Sequence, residues 1–127
     1  MIDFSKNSVF NLQKIDNSAI NNNVQALLID GEEIIGAYKT IRDQIVFTNK
    51  RIITIDVKGI TGKRQELFTL PYSKIQYFGI QTVGFWELIP DAELMLVFSN
   101  DMRANFEFKG KSDIVAIGKM ISEFTLE

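Results

Sequence analysis

The chain has 127 residues, a mass of 14.5 kDa, 46% hydrophobic and 24% charged side chains, and a formal net charge of −2. That is one ordinary globular domain, because a single core of this size buries enough surface to fold while a second would be starved. There is no cysteine and no histidine, which removes disulfides, thiolate nucleophiles, the commonest general base and the commonest metal ligand. Only carboxylates, lysines and tyrosines remain for chemistry, so the expectation is a protein that is not an enzyme and holds neither cofactor nor metal.

The longest apolar runs, Leu94 to Phe98 and Ile114 to Gly118 among them, are five residues, against about twenty for a helix that spans a bilayer. Residues Met1 to Asn11 mix Asp3, Lys6 and Asn7 with apolar side chains and lack the basic start and apolar core of a secretory signal. A cytoplasmic protein is expected.

Six asparagines, at 7, 11, 17, 21, 22 and 23, crowd the beginning of the chain beside Phe4, Val9, Phe10, Leu12 and Ile15. Residues 1–17 read as a partly ordered segment and 18–127 as the domain proper. Ser18 can cap a short helix reaching about Leu28, with Ile20, Val24, Leu27 and Leu28 at helical spacing, before Asp30-Gly31 stops it. From Ile34 the pattern becomes short runs of Ile, Val, Thr, Phe and Tyr separated by turn residues, the all-β signature. Seven strands are expected near 34–40, 43–49, 51–57, 64–70, 75–83, 92–98 and 103–109. Lys58 to Lys63, with Gly59 and Gly62, and Ser99-Asn100-Asp101 supply residues that tolerate positive φ and read as hairpin turns. In the last strand Ala104, Phe106 and Phe108 alternate with Asn105, Glu107 and Lys109, one face buried and one wet. A closing helix, capped by Ser112 or Asp113, carries Ile114, Ile117, Ile121 and Phe124 on one stripe that needs a sheet to cover. Plugging the open end of a curled sheet satisfies both surfaces.

The string Gly31-Glu32-Glu33-Ile34-Ile35-Gly36-Ala37-Tyr38-Lys39, followed by Ile41 to Ile52 with its Thr48-Asn49-Lys50-Arg51 turn, resembles the signature of bacterial pleckstrin-homology-like domains. Asp56 to Lys63, Pro71-Tyr72-Ser73-Lys74-Ile75 and Asp91-Ala92-Glu93-Leu94 follow in the order expected of that family, so the resemblance covers about Leu28 to Phe124. It implies a mostly β fold, a seven-stranded, strongly bent antiparallel barrel closed by the C-terminal helix. It also implies cyclic homo-oligomers, pentamers above all, and a protein-binding or scaffold role with an unidentified protein partner.

Seven of the fourteen basic residues, Lys39, Arg42, Lys50, Arg51, Lys58, Lys63 and Arg64, lie between positions 39 and 64 beside only Asp43 and Asp56. That segment is net +5 and leaves −7 for the rest of the chain. If these turns met at one rim they would attract an anionic lipid, a phosphate-bearing ligand or an acidic partner; otherwise they are solvated hairpin turns. Eukaryotic pleckstrin-homology domains grip phosphoinositides with clustered basic residues around the first hairpin, where this chain supplies only Lys39 and Arg42. Nucleic acid is not expected at a pI of about 5.2. Phe85, Trp86, Leu88 and Ile89 sit in a connection, where large apolar side chains call for cover by the core, a neighbouring subunit or a membrane surface. The carboxylate groups Asp30, Glu32, Glu33 and Asp91, Glu93 fit no calcium-loop spacing and read as a helix stop and the start of a strand.

Overall fold

A computed structural model describes residues 8–82 and 91–126. The strands are β1 (Ser8–Lys14), β2 (Ile34–Lys39), β3 (Gln44–Thr48), β4 (Arg51–Lys58), β5 (Arg64–Pro71), β6 (Ile75–Thr82), β7 (Asp91–Phe98) and β8 (Arg103–Lys109), with helices α1 (Asn22–Leu27) and α2 (Ile114–Thr125). All seven expected strands are present, and β1 makes eight. It lies inside the segment expected to be only partly ordered, and its concealment has a local cause. Asn11 adopts a left-handed φ of 58° at a bulge between Val9 and Leu12, which brings these two buried side chains, three residues apart, onto one face. A bulge of this kind breaks the period of two by which a strand is recognised.

The strands form one curled sheet in the order β5-β4-β3-β2-β1-β8-β7-β6. β1 joins its two halves, pairing antiparallel with β2 and parallel with β8, while the other pairings are antiparallel. Inside the curl, Tyr38, Ile45, Phe47 and Ile52 meet Leu94, Leu96, Phe106 and Phe108, and Ile114, Ile117 and Ile121 of α2 close the end. The Tyr38 and Phe108 rings lie edge to face, 4.7 Å apart, and Phe47 meets Phe106 at 5.9 Å, geometry that aromatic quadrupoles favour. A second cluster sits on the outer face of β2 to β4, where Ile20 and Val24 cover Ala37, Val46, Ile53 and Ile55. Burial on both faces explains why β3 and β4 read as nearly continuous apolar runs.

The N-terminal helix is shorter than its spacing suggested. Asp16 takes Ser18's amide and hydroxyl into a separate 3-10 turn, and α1 begins only at Asn22, capped by Asn21 through the Asn23 amide at 2.8 Å. At the other end, Asp113 occupies the cap position of α2 but its carboxylate faces the sheet. Tyr38 Oη donates to it at 2.6 Å and Lys14 Nζ at 2.7 Å, while the Asp113 amide donates to Tyr38 Oη at 2.7 Å. Burial first, and the neighbouring carboxylate second, push the Tyr38 phenol well above its usual range and keep it a neutral donor. Gly36 of β2 lies directly beneath the Asp113 carboxylate, where a Cβ would collide with it. Asp113, bonded by the Tyr38 phenol and by Lys14, therefore ties β2 and β1 to the start of α2. Tyr38→Phe is expected to lower stability by about 1–3 kcal/mol, since it leaves half-buried polar groups of Asp113 without their partner. A shift in the urea midpoint at constant slope measures it, and an unchanged midpoint would contradict this role.

Candidate functional site

Antiparallel hairpins place the β2–β3 and β4–β5 turns at one end of the sheet and the β3–β4 turn at the other. The seven basic candidates divide accordingly: Lys39, Arg42, Lys58, Lys63 and Arg64 share one end, and Lys50 and Arg51 occupy the opposite one. At the shared end the Arg42 guanidinium reaches across to donate to Gly59 O at 2.5 Å, and the Gly62 amide donates to the same oxygen at 3.3 Å. Gly59 and Gly62 hold φ of +81° and +70°, which an L side chain rarely adopts. Lys58 pairs with Glu66 at 2.6 Å. Beneath the turns Asp43 and Asp56 are buried, and the Asp43 carboxylate accepts from the Val57 amide at 2.9 Å. Burial, then the neighbouring Asp43, raise the Asp56 carboxyl above the usual range. Lys39 borders a cleft of about 380 Å³ between β1 and β2, lined also by Asn11, Gln13, Thr40 and Ile41.

Two isoleucines project from this end. Ile41 in the β2–β3 turn and Ile60 in the β4–β5 turn have relative exposures of 101% and 104%. Neither was singled out by the sequence pattern. The available signal was local: an isoleucine between Thr40 and Arg42, and another within Gly59-Ile60-Thr61-Gly62, where polar turn formers are the norm.

At the opposite end Lys50 is exposed, but Arg51 is not the solvated turn residue that its position suggested. Its Nε and Nη2 each donate to Glu32 at 2.9 Å, one to either carboxylate oxygen, while Nη2 also reaches Leu27 O at 2.6 Å and Nη1 reaches Thr69 Oγ1 at 3.1 Å. The Glu32 side chain is fully buried and accepts further from Thr48 Oγ1 at 2.6 Å and the Ile29 amide at 3.1 Å. Asn49 completes the clamp, accepting from the Glu33 amide at 2.8 Å and donating to Gly31 O at 3.0 Å. The Thr-Asn-Lys-Arg turn thus locks the β3–β4 hairpin onto the loop before β2. Burial raises the Glu32 carboxyl, but the hydrogen bonds from Arg51, Thr48 and the Ile29 amide outweigh it, so the net direction is down. A carboxyl lowered in the folded state adds stability above its unfolded value, and that stability is lost as pH falls through the carboxylate range. Arg51→Ala is expected to cost about 3 kcal/mol, because it strands a buried carboxylate, whereas Lys50→Ala leaves the unfolding midpoint in place. Glu32→Gln should flatten the decline of stability in acid; a wild-type acid limb in that variant would contradict the assignment.

The remaining carboxylates serve the sheet. Asp91 accepts from the Gly110 amide at 2.9 Å at the start of β7, and Glu93 stands opposite Glu107, whose carboxyl is raised by burial and then by Glu93. Among the described residues no group of three acidic, histidine or cysteine side chains is placed to hold a metal ion, and no helix is long and apolar enough to cross a membrane. Phe85, Trp86, Leu88 and Ile89 lie outside the described residues. The strand before them borders a second opening, a groove of about 530 Å³ between β6 and α2 lined by Phe78, Ile80, Val115, Gly118, Lys119 and Ser122.

Comparison with known proteins places this architecture. The family model described as bacterial PH domain matches residues 3–125. The uncharacterized protein YjqA of Bacillus subtilis (strain 168) is 31% identical over 112 residues, 88% of this chain and 90% of that protein. A DUF1696 family protein with a pleckstrin-homology domain from Shewanella loihica PV-4 superposes with a TM-score of 0.71 at 35% identity, covering 92% of this chain and 99% of that one. A pleckstrin-homology domain from Shewanella amazonensis SB2B gives 0.57 at 37% identity, over 89% and 90% of the two chains. A family match from end to end, joined to a curled sheet plugged by a C-terminal helix, means that the chain belongs to the bacterial PH domain family.

Proposed function

We propose that the chain is a non-catalytic binding or scaffold module that assembles with copies of itself into a cyclic homo-oligomer, a pentamer by family resemblance, and offers that assembly to a protein partner. The observation that supports this reading is the outer edge of β6. Among the described residues no strand pairs with it, and its eight residues, Ile75 to Thr82, include no charge and no proline. Edge strands that stay solitary carry lysines, prolines or bulges that repel a second strand; β6 has one irregularity, a register shift against β7 between Ile75 and Tyr77, and its pairing with β7 is regular from Tyr77 to Thr82. β5, the other edge, carries Arg64, Glu66 and a terminal Pro71, whereas β6 presents Gln76, Tyr77 and Gln81, with Tyr77 more than half exposed.

The two edges of one sheet are different surfaces. Contact between the β6 edge of one copy and another surface of the next is therefore head to tail, and head-to-tail contacts generate closed rings when the rotation between copies closes. Light scattering at concentrations on the order of tens of micromolar tests the proposal. A discrete multimer is expected, and a monomeric mass would overturn it. Tyr77→Lys, which places a cation beside the bare edge, is expected to weaken assembly by about tenfold or more without lowering the thermal transition of the isolated fold.

A further inference from the structure

We infer that Asp43 and Asp56 form a carboxyl pair that holds one proton between them, a conformational device that keeps the turn end of the β2–β3 and β4–β5 hairpins closed while the proton is present and loosens it when the proton leaves. This goes beyond self-assembly and does not depend on it. The pair is built by strand register. Gln44 of β3 stands opposite Ile55 of β4, so Asp43, one position before the strand, stands opposite Asp56. Their relative exposures are 1% and 3%, and the two side chains interact directly. Buried carboxylates in contact repel each other, and a shared proton removes the repulsion. One Asp43 oxygen accepts from the Val57 amide at 2.9 Å, and no hydrogen-bond donor among the described residues reaches Oδ1 of Asp56. An ionised carboxylate buried in that way is far costlier than a protonated one, whose O–H can be donated to its neighbour.

The charged groups around the pair have other engagements. The Arg42 guanidinium is turned to Gly59 O. Lys58, two residues beyond Asp56, is paired with Glu66 at 2.6 Å, and Glu66 is itself the β5 residue opposite Asp56. Arg64 stands opposite Lys58, and Lys39 and Lys63 are exposed where their strands meet the turns. Burial and then Asp43 raise the Asp56 carboxyl, Lys58 and the chain's amino group act against them, and the net direction is up. A carboxyl raised in the folded state adds stability that is complete below its unfolded value and is lost as pH rises through its folded value. The bonds held by this pair are those that close the turn: Thr40 N–H to Asp43 O at 2.9 Å, Asp43 N–H to Thr40 Oγ1 at 3.2 Å, and Val57 N–H to the Asp43 carboxylate. Glu32, at the other end of the hairpins, is shifted down and loses its contribution in acid. The two ends therefore respond to pH in opposite senses.

Native-state amide exchange of the full chain, compared as protection factors from mildly acidic to alkaline pH, tests this directly. Protection of the Val57 and Thr40 amides is expected to fall several-fold as pH rises, and to fall further than that of Leu94 and Phe106 in the other half of the sheet. Asp56→Asn, whose side-chain amide can donate to Asp43 in place of the shared proton, is expected to keep Val57 protected across the whole range. Asp43→Asn, which retains an oxygen for the Val57 amide, carries the same expectation should the first variant fail to fold. A wild-type Val57 profile in these variants would overturn the proposal. So would wild-type protection at the turn end that is independent of pH, that falls in acid instead, or that falls no further than at Leu94 and Phe106.

Discussion

The curled sheet stops short of closure between β5 and β6, and the other features of the molecule answer to that constraint. The chain crosses from β5 to β6 through Tyr72–Lys74, and the two strands become the opposite edges of one eight-stranded sheet. An unclosed curl exposes an apolar interior at its end, which α2 covers with Ile114, Ile117 and Ile121. It also leaves backbone donors and acceptors along two edges, which water, charge or another chain must satisfy. β5 bears charge and a proline; β6 bears neither. The asymmetry of the edges connects the architecture to the proposed assembly.

Two polar ties hold the curl in shape, and both work by joining segments distant in sequence. Tyr38 and Asp113, with Lys14, fasten β2 and β1 to the start of α2 across 75 and 99 positions. Glu32 and Arg51, with Thr48 and Asn49, fasten the β3–β4 turn to the loop before β2. Each includes a buried group with its hydrogen bonds satisfied, the condition under which burial of charge or hydroxyl is tolerated. Arg51, at the far end of the hairpins, therefore belongs to the framework, and of the seven basic candidates Lys39, Arg42, Lys58, Lys63 and Arg64 share one end of the sheet.

Much of this fold could be read in the sequence because its strands obey simple rules. The alternation of Ala104, Phe106 and Phe108, the glycines at 59 and 62 and the isoleucine stripe of α2 each report a local cause with a local effect. β1 escaped because the bulge at Asn11 hides its period. The site was legible only in part. Charge counting located the basic segment, but whether its turns meet depends on hairpin direction, which sends Lys50 and Arg51 away from the rest. The pairing of Arg51 with Glu32, nineteen positions apart, follows from tertiary approach, and no spacing rule reports it. Ile41 and Ile60 were hidden by the opposite effect: an apolar residue in a β-rich sequence reads as core, and only the fold shows that these two have none to enter.

In the proposed assembly the β6 edge, unpaired among the described residues of one copy, is covered by another copy. Native-state amide exchange followed as a function of protein concentration tests it most directly, since exchange reads the hydrogen bonding of individual backbone amides. Amides of β6 not bonded to β7 are expected to become protected as concentration rises, while those of β3 and β4, already paired on both sides, do not change. Protection along β6 that is the same at every concentration would contradict it.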